Sequence, residues 1–253
     1  MSFMVPQWPA PKSVKSLVST RKGGVSQSPF DTLNLGDHVG DKAADVLANR
    51  AIFTKELVAE PLWLKQTHST VVSTPQKRLS EQGGEIAADA SVTNIPDEVL
   101  AIMTADCLPV LFTNSSGTVV GAAHAGWRGL CAGVLENTIT ELLKLSDDKN
   151  PANLMAWLGP AIGSKEFEVG QDVVSAFIDS RMPIHADSFM PIPSRPGKYL
   201  ANIYQLARGR LEACGIHSIS GGEYCTAKNS EQFFSYRRDG QTGRFASAIW
   251  IAK

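Results

Sequence analysis

Apolar runs broken by polar turns set out the elements of this chain. Four stretches carry apolar residues at helical spacing, over 44–57, 133–145, 171–178 and 202–214. In the last of these, Asn202 suits the N-cap, where its side-chain oxygen can accept from an unpaired first-turn N–H. Gly215 suits the stop, where a left-handed backbone costs glycine little. Six stretches read as strands, over 99–105, 108–112, 119–124, 154–158, 222–226 and 247–251. Several are apolar at nearly every position, which predicts burial on both faces with helices packed over the sheets. Helices and strands do not alternate strictly. The expectation is therefore an α+β, or mixed α/β, fold: one layered domain over 1–253 with mixed β-sheets flanked by helices. Two stretches, 78–85 and the proline-rich 182–197, read as loops inside that domain, because apolar segments resume on both sides.

Composition narrows the function classes. A chain of 253 residues with 43% hydrophobic content can bury a large core. The net charge of −1 offers no bulk positive field for nucleic acid or an anionic membrane. No run approaches the roughly 20 apolar residues of a membrane span, and the opening MSFMVPQWPAPK lacks the pattern of a secretory signal. The cysteines, Cys107, Cys131, Cys214 and Cys225, form no CxxC pair and no disulfide framework. A reducing cytoplasm is the expected compartment.

Three residues carry the candidate chemistry. Cys107 lies in TADCLPVLF beside Asp106, an acid that is costly to bury unless it is paired. His124 ends the apolar run of VVGAAHAGWRGL, and strand ends before glycine turns are frequent site positions. His68 lies in LWLKQTHSTVV, where Gln66, Thr67 and Ser69 are suited to orienting an imidazole. Each taken alone also fits a structural role, as a small buried cysteine or a satisfied core histidine. Brought together, they would supply two imidazoles and one thiolate, a ligand set that suits zinc and leaves a fourth position open for an activated water. Copper also binds such ligands.

Two basic segments are candidate anion sites. STRKGGVSQ places Arg21 before the Gly23–Gly24 pair, whose backbone N–H groups could form an anion nest, or equally a plain surface turn. SYRRDGQTGRF places Arg237, Arg238 and Arg244 around Asp239–Gly240, a pattern that predicts a hairpin tip. Trp127 and Arg128 follow His124 directly; the indole suits either core packing or stacking on a flat ring.

Taken together, TADCLPVLF, AAHAGWRGL, QTH, STRKGGVS and FFSYRRDGQTGR resemble the YfiH-like family, also called the laccase-domain or polyphenol-oxidase family, from about Ser19 to Trp250. The resemblance implies a mixed-sheet fold and zinc held by His68, Cys107 and His124. It also implies purine nucleoside phosphorolysis, on adenosine, inosine, guanosine and methylthioadenosine, together with adenosine deamination. On that reading Cys107, His124 and Asp106 are the catalytic candidates, and Arg21, Gly23, Gly24, Arg128, Arg237 and Arg244 are candidates to hold phosphate or substrate. Three alternatives stay open. One is a metal-free Cys–His hydrolase acting on an amide, possible in peptidoglycan-precursor editing. The second is a copper-dependent polyphenol oxidase, although five histidines are too few for a blue-copper site plus a trinuclear cluster. The third is a non-enzymatic metal-binding protein, with Cys131 as a fourth ligand.

Overall fold

The computed structural model describes residues 1–80 and 86–253. Its two larger sheets lie face to face. One has the strand order Val72–Ser73, Ala90–Thr93, Val120–Ala125, Leu108–Asn114, Leu154–Leu158, Ser218–Gly221; it is antiparallel in the centre and parallel at both edges. The other is antiparallel, in the order Phe3–Met4, Val14–Ser19, Phe245–Ile251, Leu100–Thr104. A small antiparallel sheet is formed by Phe189–Pro191, Lys198–Ala201 and Glu168–Gly170. None of the described helices is long and apolar enough to cross a membrane.

Strand alternation sorts the apolar side chains into layers. Leu111, Val120 and Ala122 of the larger sheet meet Leu100, Ile102, Phe245 and Ile249 of the other, filling the space between the sheets. On the outer face of the larger sheet, Val110 and Phe112 pack under the helices Val134–Leu145, Gln171–Asp179 and Ile203–Ala213. On the far side of the other sheet, Ala101, Met103 and Trp250 pack with Leu33 and Leu35 of a loop and with Phe53 of the helix Ala43–Thr54. Both sheets are thus buried on both faces, which is why their strands read as continuous apolar runs rather than alternating ones. A buried ion pair, Arg210 to Glu136 at 2.7 Å, locks two of the covering helices together; Arg210 also donates to the Cys131 carbonyl and the Ser180 hydroxyl.

The four expected helices are present, with ends shifted by a few residues. Asn202 caps its helix by accepting from the Gln205 N–H, and Gly215 turns left-handed at φ 86°. Other expectations need correction. The strand expected over 222–226 lies earlier, at Ser218–Gly221, because Gly221 and Gly222 both take positive φ and turn the chain off the sheet edge. Proline-rich 182–197 contributes the strand Phe189–Pro191, and Arg78 belongs to the helix Pro75–Ser80; the rest of the expected loop, 81–85, lies outside the described residues.

The shortest of the chain's passages between the two large sheets spans three residues. Thr104 ends a strand of one sheet and Leu108 begins a strand of the other, so residues 105–107 bridge them. Asp106 makes the sharp turn with φ 89°.

The layering has a direct test. Leu111 and Phe112 are adjacent yet face opposite layers, and both are fully buried. Leu111→Ala should cost about 2–5 kcal/mol and Phe112→Ala about 3–5 kcal/mol in urea unfolding. A loss within about 0.5 kcal/mol for either would mean that one face of this sheet is open to solvent.

Candidate metal centre

The crossing between the sheets is also where the three candidate ligands meet. Register pairs Leu108 with Ala125 and Pro109 with His124, which sets Cys107 beside Gly126, just past the end of the paired strands. His124 shares its face of the strand with Val120 and Ala122, so its ring points into the space between the sheets. His68 approaches from the loop before Ser69, with a positive φ of 61°. Cys107 Sγ and His68 Nε2 are 3.7 Å apart, the two imidazole centroids are 4.8 Å apart, and the donor atoms of all three residues lie within 4.8 Å of one another. Gly126 keeps the space open: a Cβ there would stand 2.8 Å from His68 Cδ2 and 2.9 Å from Cys107 Sγ.

One carboxylate holds two of the three in place. Asp89 is fully buried; its Oδ1 accepts from His124 Nδ1 at 2.8 Å and from the His68 N–H at 2.9 Å. Its Oδ2 accepts from the Ser69 N–H at 2.6 Å, the Ser69 hydroxyl at 2.7 Å and the Thr67 N–H at 3.1 Å. An ionised carboxylate only accepts, so His124 Nδ1 must carry the proton and Nε2 is left as the donor atom for the site. Sequence reasoning missed Asp89. The available signal was a lone acid among small residues in AADASVT, the same cost of burial that drew attention to Asp106.

Electrostatics reinforce this geometry. Burial would raise the Asp89 carboxyl, but hydrogen bonds from His124 and Ser69 and the His124 charge hold it well below the usual carboxylate range. Burial also pushes the Cys107 thiol up, but the charge and hydrogen bond of His124, joined by those of His68, outweigh it and bring the thiol to about 6. For His124 burial acts downward, and the Cys107 thiolate and Asp89 raise the imidazole to about 9. Without a metal the pair is thus a thiolate and an imidazolium.

The donor set fits a metal ion. Four-coordinate zinc with such ligands places donor atoms about 3.3–3.7 Å apart, close to the Cys107–His68 separation already present. Among the described residues, no fourth protein donor joins the group. Cys131 instead packs against the helical layer and contacts the Ala176 carbonyl. The open side of the trio faces a cavity of about 470 Å³.

The other candidates divide. Arg128, Arg237 and Arg244 line the cavity with Asp106; Trp127, Ile162, Phe167 and Ile203 supply apolar wall. Arg244 makes no ion pair among the described residues, its Nη1 donates to the Thr242 and Gly243 carbonyls, and burial lowers its pKa. Asp106 spends both oxygens on structure, accepting from the Thr226 hydroxyl and the Arg237 N–H, each at 2.6 Å. Arg21, Gly23 and Gly24 do not line the cavity. Arg21 pairs with Asp31 and lies over the Phe234 ring, Gly23 packs against Ser2, and the Gly24 N–H is taken by the Thr32 hydroxyl. The expected hairpin tip is instead one helical turn, Tyr236–Asp239, because Ser235 caps it by accepting from the Arg238 N–H. Arg238 turns away to the Thr226, Ala227 and Phe233 carbonyls.

Known proteins share this plan. Residues 15–252 match the family described as multi-copper polyphenol oxidoreductase laccase. A purine nucleoside phosphorylase of Escherichia coli named YfiH is 51% identical, with 98% of each chain covered. One from Haemophilus influenzae is 48% identical, over 99% of this chain and 100% of its own. The crystal structure of a Neisseria meningitidis protein superposes with a TM-score of 0.92 at 48% identity, covering each chain fully. The chain belongs to this laccase-like, YfiH family.

Two measurements probe the centre. In metal-free protein, alkylation of Cys107 by iodoacetamide should rise with pH through a midpoint near 6 and then level, since only the thiolate reacts. His124→Gln should move that midpoint upward; an unperturbed thiol midpoint in the parent protein would contradict the ion-pair geometry. Gly126→Ala and Asp89→Asn should each weaken zinc or cobalt binding by about 10–100-fold, read by competition with a chromophoric chelator.

Proposed function

We propose that this protein is a zinc-dependent purine nucleoside phosphorylase acting on adenosine, inosine, guanosine and methylthioadenosine, and that the same site deaminates adenosine. The observation that carries the reading is one cavity holding both the His68–Cys107–His124 group and the Arg244 guanidinium, which has no ion-pair partner among the described residues. Relatives at about 50% identity that bear the name purine nucleoside phosphorylase support it.

His68, Cys107 and His124 would hold the ion, which would supply Lewis acidity and lower the pKa of a water at the site. The remaining work falls to the chain. Asp89 keeps His124 in one tautomer and fixes the His68 backbone. Arg244, Arg237 and Arg128 draw phosphate to the ribose side; the half-buried Arg244 guanidinium, with no carboxylate partner among the described residues, is a strong counter-ion for it. Phe167, Ile162 and Ile203 offer a flat purine an apolar wall. Asp106 holds the Arg237 segment and the Thr226 segment against the site, a positioning role. We place the enzyme in the cytoplasm, acting as one domain on small molecules rather than on nucleic acid, in keeping with four free cysteines and a net charge of −1.

One observation favours a second reading. The Cys107 thiolate beside a raised His124 is the pairing a metal-free cysteine hydrolase uses on amides. A multicopper oxidase has no comparable support, because His38, His185 and His217 join no further donor group among the described residues.

Product analysis separates these readings. Zinc-loaded protein with adenosine and phosphate should yield adenine and ribose-1-phosphate, and inosine should form whether or not phosphate is present. Neither product from metal-replete protein would refute the proposal. Cys107→Ala and His124→Ala should abolish both reactions. Activity that survives chelation but not iodoacetamide would select the hydrolase. Arg244→Ala should lower kcat/KM for phosphate by about 10–100-fold, the loss of a charge-assisted contact, while deamination is largely kept.

A further inference from the structure

The cavity contains one more histidine. His38 lines the same space as the three ligands and Arg244, with its ring exposed. Its loop is built against the site: a Cβ on Gly36 would stand 2.7 Å from Arg244 Cγ, and the Gln241 side chain donates to the Val39 carbonyl. The ring is also oriented. Nδ1 lies 3.4 Å from Asp37 Oδ1, and Asp37 is anchored at 3.0 Å by Arg50, which donates to the Leu35 carbonyl and stacks over Trp63. With Nδ1 turned to that carboxylate, Nε2 faces outward, and the imidazolium form carries there a proton it can give.

Phosphorolysis needs such a donor. The purine leaves with the electron pair of its bond to the sugar, and protonation of the ring makes that departure easier. The other cavity groups are already engaged. His68, Cys107 and His124 form the metal group, both Asp106 oxygens accept hydrogen bonds from the protein, and an arginine does not give up a proton. That leaves His38 and Tyr236, and only His38 has an oriented carboxylate behind it.

We infer that His38 is the general acid for the leaving purine, an inference that rests on the phosphorylase reading. A phosphate oxygen forms the new bond to C1′ as the bond from C1′ to N9 breaks. The electron pair passes into the purine, whose N7 takes the proton from Nε2 of the His38 imidazolium, leaving a neutral ring that keeps its Nδ1 proton toward Asp37. Solvent returns a proton to the exposed ring and accepts the one lost by the phosphate ester.

The test compares inosine with 7-methylguanosine, whose imidazole ring already carries a positive charge and leaves without a proton. Zinc-loaded parent protein, His38→Gln, His38→Ala and Tyr236→Phe are assayed with both nucleosides and phosphate, after zinc content and Tm are matched. The expected result is a fall in kcat of about 100-fold or more on inosine for both His38 variants, with 7-methylguanosine within about threefold of the parent. Equal losses on both nucleosides, no loss on either, or a selective loss in Tyr236→Phe instead would overturn the assignment while leaving the phosphorylase reading intact. If the parent forms no ribose-1-phosphate from either nucleoside, the phosphorylase reading fails and the assignment fails with it.

Discussion

The Asp89 carboxylate is the constraint on which the site depends. It is fully buried, and a buried charge persists only where the protein saturates it with donors. The donors here come from two separate pieces of chain: the backbone of the Thr67–Ser69 loop and the ring of His124. Hydrogen bonds to a charged group contribute about 1.5–3 kcal/mol each, so neither piece can leave without stranding the charge. The same bonds that keep Asp89 charged in the protein interior therefore fix two candidate ligands relative to each other.

The third candidate ligand is placed by topology. Cys107 stands on the shortest segment that carries the chain from one large sheet to the other, next to the end of the strand that holds His124. Both sheets are covered on both faces, so their register cannot slip without turning apolar side chains toward the wrong layer. That rigidity reaches Cys107 through Leu108 and reaches His124 through Ala123 and Ala125. Gly126 completes the arrangement by occupying almost no space where a side chain would separate the donors. Asp106 shows the cost of the crossing: it adopts a positive φ, and its carboxylate is spent on holding the neighbouring segments.

What could be read from the sequence follows from these physical causes. Long, doubly buried strands such as Leu154–Leu158 were legible because nothing but apolar residues is tolerated there. Val14–Ser19, with Lys15 and Ser16 inside it, carries no such signal and escaped notice although it pairs with Ser247–Ile251. The misplaced strand near Gly222 depended on two left-handed glycines, a backbone property that composition does not reveal. The candidate trio of His68, Cys107 and His124, which the fold brings together, was legible from residue chemistry and motif. Asp89 was not, since its meaning lies in donors 20 to 35 positions away along the chain. His38 could only be counted as a remaining histidine until the fold set its loop against Arg244.

The same geometry bears on the choice between metal ligation and a bare nucleophile. A cysteine nucleophile needs one imidazole to take its proton, and His124 with Asp89 behind it would suffice. Here a second imidazole stands 3.7 Å from the sulfur on the other side, and its backbone is held by the very carboxylate that orients the first. For a nucleophile this second ring is superfluous, and it crowds the lone pairs that would attack. For a metal it is the third ligand, without which two donors would leave the ion loosely held. The polarised thiolate then follows from building a site of two imidazoles and one sulfur in a buried crevice, where the ligand must lose its proton before an ion can bind. Cys131, the nearest cysteine along the chain, is packed into another layer, so the position opposite the trio stays turned toward the cavity and its arginines.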